Sequence, residues 1–211
     1  MSVARIFFAA LTAVAIVATF FDTASRSQIN PFNFFGYFTI QSNLFVAVVW
    51  AIAGISGLRN RTPSRALVLA RAFAATYIVV VGLVYAVFLA PLGAAGGVAL
   101  PWANVVLHLI TPVLAMAGWL VATDRAPIRW RLLPLVLLYP LVWISVVLVR
   151  GATDGWVPYP FLDPDRGYAL IALVCVGIAA AVTVIATIVF FIAQLPRRGA
   201  TPRRQPIQRS L

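Results

Sequence analysis

WANVVLHLITPVLAMAGWLVAT, residues 102–123, carries a single ionisable side chain, His108, in twenty-two positions. Only a membrane-spanning helix reconciles that length with that polarity, because a ~30 Å hydrocarbon core takes about 20 predominantly apolar residues. An imidazole in hydrocarbon is costly, so His108, the chain's one histidine, is a functional-site candidate by default. The polar residue placed to meet it is Thr39, two spans earlier.

Five further segments have the same character: Val3 to Phe21, Phe34 to Leu58, Ala66 to Ala90, Leu132 to Val149 and Tyr168 to Ala193. With 63% hydrophobic and 10% charged residues the chain lies far outside the soluble range. The reading is an all-α, polytopic integral membrane protein, a bundle of six transmembrane helices over residues 1–195. The run Ile6 to Phe21 behind Arg5 is longer than most signal-peptide cores, so it reads as a retained first helix.

Arginine sets the orientation, since positive residues of short loops accumulate on the cytoplasmic face. Both termini are then cytoplasmic, which puts thirteen of the sixteen basic residues inside and leaves Arg26, Arg150 and Arg166 outside. Four of the five acids, Asp22, Asp154, Asp163 and Asp165, fall on the outer face. Every basic residue is arginine and glutamate is absent, a bias that points to a GC-rich bacterial genome and hence a bacterial plasma membrane.

The net charge of +11 comes from this loop bias and from an Arg/Pro-rich tail, residues 196–211. That tail reads as a disordered cytoplasmic segment drawn to anionic headgroups, so membrane lipids are expected partners and nucleic acid is not. The lone Cys175 excludes an internal disulfide or a cysteine metal cluster. One histidine supplies too few ligands for zinc and at most one axial ligand for haem, so no metal or cofactor is expected. Without a run of intramembrane charges the chain does not read as an ion pump or voltage sensor.

The uncharged polar residues gather toward the outer face. Counted from Phe34 and Trp102, Thr39 and His108 lie at a similar depth, roughly 8 to 9 Å at a ~1.5 Å rise per residue. Ser42 and Asn43 follow Thr39, Asn104 precedes His108 by one turn, and Tyr85 ends the third span in the same half. Pro112 cannot donate to the His108 carbonyl, so a kink there opens space beside the imidazole. The last outer loop carries Trp156, Tyr159 and Phe161 among Pro158, Pro160 and Pro164, which reads either as interfacial anchoring or as a lid over that space. The structural alternatives are a Thr39 hydroxyl bonded to the Phe35 carbonyl one turn back and a His108 hydrogen-bonded to a neighbouring helix.

Three motifs in order, Tyr37-Phe38-Thr39-Ile40-Gln41-Ser42-Asn43, His108 with Thr111-Pro112, and Trp156-Val157-Pro158-Tyr159-Pro160-Phe161, resemble the androgen-induced-protein family. Its animal members are membrane hydrolases of fatty acid esters of hydroxy fatty acids, and the resemblance implies that Thr39 and His108 are the essential pair. The chemistry would be acyl transfer, Thr39 attacking an ester while a neutral His108 takes its proton. Asn43 or Asn104 would donate to the oxyanion, and Tyr85, Trp156 and Tyr159 would contact substrate. No carboxylate lies at this depth, so the expectation is a dyad, although Asp154, Asp163 and Asp165 are in the loop above. A non-enzymatic protein that binds or carries a lipid or other apolar ligand is the alternative, and a scaffold recruiting partners through its tail is a third.

Overall fold

Six apolar helices long enough to cross a membrane run through the computed structural model, which describes residues 1–196. All regular structure among those residues is helical. The tail expected over 196–211 lies, beyond Pro196, outside them.

The first span is α1 (Ser2–Arg26), and a short helix α2 (Pro31–Gly36) follows it. Asn30 starts α2 by accepting from the backbone N–H groups of Phe32 and Asn33, and Pro31 sits at the first position, where a missing N–H costs nothing. The second span, α3, covers Phe38–Leu58. The third begins at α4 (Arg65–Val84), capped by Ser64, and continues through a π-helical turn at Tyr85–Leu89 to Gly93. The fourth joins α5 (Pro101–Val105), a π turn at Val106–Ile110 and α6 (Thr111–Val121). A 3₁₀ segment, Trp130–Leu137, leads into α7 (Leu138–Thr153) to make the fifth, and α8 (Tyr168–Gln194) is the sixth.

The third span is the axis of the bundle, packing on α3, α6 and α8, while α1 lies against α3 and the fourth span. Ala72, Ile78 and Thr76 are wholly enclosed there. The fifth and sixth spans leave most of their surface outside, and Val146, Leu173 and Val176 are apolar residues facing outward, a surface suited to lipid tails.

Two local departures from straight helices shape one end of the bundle. The expected second span began at Phe34, yet the chain turns extended at Tyr37 (φ −63°, ψ 130°) and restarts as α3 at Phe38. The carbonyls orphaned by the break are taken up by side chains: Gln41 Nε2 donates to Phe35 O at 2.8 Å and Trp143 Nε1 to Gly36 O at 2.8 Å. Ahead of Pro112, where a kink was expected, the turn widens to a π turn with His108 at its centre. A matching π turn precedes Pro91 on the third span. Gly82 lets the two spans meet there, since a Cβ on it would lie 3.1 Å from His108 O and 3.0 Å from the Pro112 ring.

Candidate functional site

The break at Tyr37 makes Thr39 the second residue of α3, where backbone N–H groups have no acceptor within the same helix. Its N–H donates to Tyr159 Oη at 3.2 Å, and its Oγ1 lies 3.3 Å from the same oxygen. The bond to the Phe35 carbonyl considered from the sequence does not form, because the helix breaks at Tyr37 between the two residues, and that carbonyl accepts from Gln41 instead. Burial pushes the Tyr159 phenol up to about 12, against hydrogen bonds with Thr39 that lower it, so the group stays a neutral hydroxyl.

His108 is 5% exposed and its ring stacks on Tyr85 with centroids 4.2 Å apart. Nδ1 lies 3.2 Å from the backbone carbonyl of Asn104. A carbonyl only accepts, which assigns the proton to Nδ1 and leaves the lone pair on Nε2. Asn104 fixes this arrangement from two sides: its Nδ2 donates to Tyr85 Oη at 2.6 Å, and its Oδ1 accepts from Val98 N–H at 3.0 Å. The two π turns thus hold Tyr85 and His108 face to face.

Thr39, His108 and Tyr159 line one cavity of about 290 Å³, together with Tyr37, Phe34 and residues 96–99. Thr39 and His108 face it without a hydrogen bond between them among the described residues. Thr39 and Tyr159 also wall a second, apolar cavity of about 110 Å³ toward Val84, Ile144, Cys175 and Val182. Among the described residues no three His, Cys, Asp or Glu side chains come together, so the site offers hydroxyl, amide and imidazole chemistry.

Of the other candidates from the sequence, Asn43 is fully buried beside the cavity. Its Nδ2 donates to Thr39 O at 2.9 Å and to Leu107 O at 3.2 Å, tying the second span to the fourth, while its Oδ1 has no partner. Trp156 stands apart from Thr39. Its ring lies against Gly36, where a Cβ would come within 2.6 Å, and under the Arg150 guanidinium at 4.3 Å. Asp154 is engaged by Arg150 and by Trp156 N–H, and hydrogen bonding by Arg150 holds its carboxyl below the usual range; Asp163 caps Asp165 N–H. None of the three loop acids, Asp154, Asp163 and Asp165, lines the cavity.

The sequence reading passed over Thr19 and Thr23, which form the α1 wall of the cavity. The signal was present, since Thr12, Thr19 and Thr23 fall on one helical face. Each donates to a carbonyl one turn back, at 2.7 to 2.8 Å, so their hydroxyl oxygens remain able to accept.

Compared with protein-family models, with curated proteins and with solved structures, the chain gives no match.

Proposed function

We propose that this multi-pass membrane protein is a Thr39/His108-dependent hydrolase of lipid esters, of the kind the androgen-induced-protein family represents, with its site in the outer half of a bacterial plasma membrane and both termini cytoplasmic. The observation that carries the proposal is the common cavity of Thr39, His108 and Tyr159. An ester enters between the hydroxyl and the imidazole, and Thr39 Oγ1 attacks its carbonyl carbon while Nε2 of His108 takes the proton. The oxyanion is met by Tyr159 Oη, whose proton is available because the phenol stays neutral, at the positive end of α3. His108 returns the proton to the leaving alcohol. Water, deprotonated by the same nitrogen, then cleaves the acyl–Thr39 ester and frees the acid and the threonine hydroxyl.

The amide donors of Asn43 and Asn104 are already committed, so this mechanism uses them to hold Thr39 and His108 in place. Trp156 acts on the loop that delivers Tyr159 and not on the ester directly. The second cavity is apolar enough to take the adjoining acyl chain.

A lipid-binding or lipid-carrying protein is the second reading, favoured by the bonding of Thr39 to Tyr159 and not to His108. A fluorophosphonate probe on membranes separates the two. The hydrolase reading expects covalent labelling of the 22.8 kDa wild-type band that disappears in Thr39→Ala and His108→Ala at equal expression. Unlabelled, folded wild type, or labelling retained in both variants, leaves the binding protein.

A further inference from the structure

The other end of the bundle holds a second cavity system whose chemistry differs. Arg5, on α1, donates from both terminal nitrogens to Asp124 at 2.6 and 2.7 Å. Arg71, on α4, brings one terminal nitrogen to 3.1 Å from Asp124 Oδ2, close enough to share the charge but not oriented to hydrogen-bond it. Two guanidinium groups therefore divide one carboxylate, and one positive charge is left over. The Arg71 side chain is only 5% exposed, so that surplus is buried. Its guanidinium carbon also lies 5.5 Å from the centroid of the Trp119 ring. Arg125, also buried nearby, gives two of its nitrogens to the carbonyls of Ala122 and Ile192.

Arg5 and Arg71 line a cavity of about 300 Å³ whose remaining walls are apolar, among them Phe8, Val46, Trp50 and Leu114. A buried, incompletely paired cation calls for an anion, because desolvated charge is tolerated only with a counter-charge and hydrogen bonds. The planar fork of a guanidinium fits the oxygens of phosphate. The depth fits too. The third span, Arg65–Gly93, is 29 residues and thus roughly 43 Å long, so about 7 Å projects beyond a ~30 Å core at each end. Arg71 starts roughly 9 Å from the end, and its long side chain reaches the headgroup layer.

We propose that this cavity is a binding site for a phosphate-bearing anion, held by Arg71 and Arg5, with the apolar wall accommodating the chains of an anionic phospholipid. A free phosphate ion has the same headgroup chemistry but no use for that wall. The site is independent of Thr39 and His108 and stands or falls apart from the hydrolase proposal.

Native mass spectrometry of the delipidated, full-length protein tests it, with phosphatidylglycerol, phosphatidylcholine and inorganic phosphate as probes. The expected result is one saturable phosphatidylglycerol per chain, preferred at least about tenfold over phosphatidylcholine, a difference of about 1.4 kcal/mol. Arg71→Gln weakens it by a similar factor. Gly118→Leu provides a second variant, because Gly118 lines the cavity and a Cβ there meets nothing within 4 Å, so the added side chain fills the space and leaves the arginines intact. Loss of the lipid in Gly118→Leu supports the lipid source. Retention of inorganic phosphate by wild type and Gly118→Leu, but not by Arg71→Gln, supports a free ion. Changing Arg197, Arg198, Arg203 and Arg204 to glutamine leaves either binding unaltered. Equal retention of both lipids without phosphate binding, or binding lost only when the tail arginines are changed, overturns the proposal.

Discussion

Thr39 owes its surroundings to a residue 120 positions away, since the Tyr159 hydroxyl takes its N–H and contacts its Oγ1. If Tyr159 Oη stabilises the oxyanion, Tyr159→Phe lowers fluorophosphonate labelling and ester turnover by about a hundredfold, the usual loss for one such donor. Thermal stability falls by only about 1 kcal/mol, the net worth of an ordinary hydrogen bond. Full labelling in the phenylalanine variant assigns the tyrosine to packing. The identity of Thr39 and His108 as candidates was legible in the sequence from their residue types and from the polar residues gathered around them. The partner of each was not. Tyr159 reaches Thr39 only because the helix breaks at Tyr37, and Tyr85 reaches His108 only because two π turns face each other.

The π turn at Val106–Ile110 is the element on which the imidazole depends. It inserts one residue into the helical repeat ahead of Pro112, which rotates the following residues by about 100° relative to a regular helix. Pro112→Ala restores an N–H able to bond the His108 carbonyl and removes the reason for the widened turn. Labelling is then expected to fall at least tenfold while thermal stability stays level or rises, with scanning calorimetry of the purified variant as the check on stability. Undiminished labelling places the imidazole orientation under other control. The existence and order of the six spans followed from apolar length alone, and helical spacing placed Asn43 near Thr39 and Asn104 near His108, though it left the threonine face of α1 unread. The start of α3 did not follow, because the side chains of Gln41 and Trp143 that accept the loose ends of the broken helix become neighbours of Phe35 and Gly36 only after folding.

For the molecule as a whole, two ends of one bundle carry different chemistry: a hydroxyl–imidazole cavity at one and a shared-carboxylate arginine cluster at the other. Burial alone would push the Asp124 carboxyl up, but hydrogen bonds from Arg5 and the charges of Arg71 and Arg5 outweigh it and hold the group down at about 2. The unfolded carboxyl protonates near 3.8, so its contribution to stability is complete above that value and disappears as pH falls through about 2. Asp124→Asn is expected to cost about 3 kcal/mol at neutral pH and to flatten the acid limb of stability between about pH 4 and 2. Denaturation followed across that range reads both effects, and an unchanged acid limb removes Asp124 as its source. The proposed orientation predicts that a C-terminal fluorescent-protein fusion is bright and an alkaline phosphatase fusion inactive in bacterial cells, and the reverse pattern inverts the topology. What the sequence determined by itself was the solvent: apolar segments of spanning length must cross a membrane as helices, because hydrocarbon offers backbone groups no other partners. What only the tertiary structure decided was which helix ends and turns bend away from regularity and which polar groups they bring together. Those departures are stabilised by contacts such as Thr39–Tyr159, Tyr85–His108 and Arg5–Asp124, between residues far apart in the chain, and no local pattern encodes such a contact.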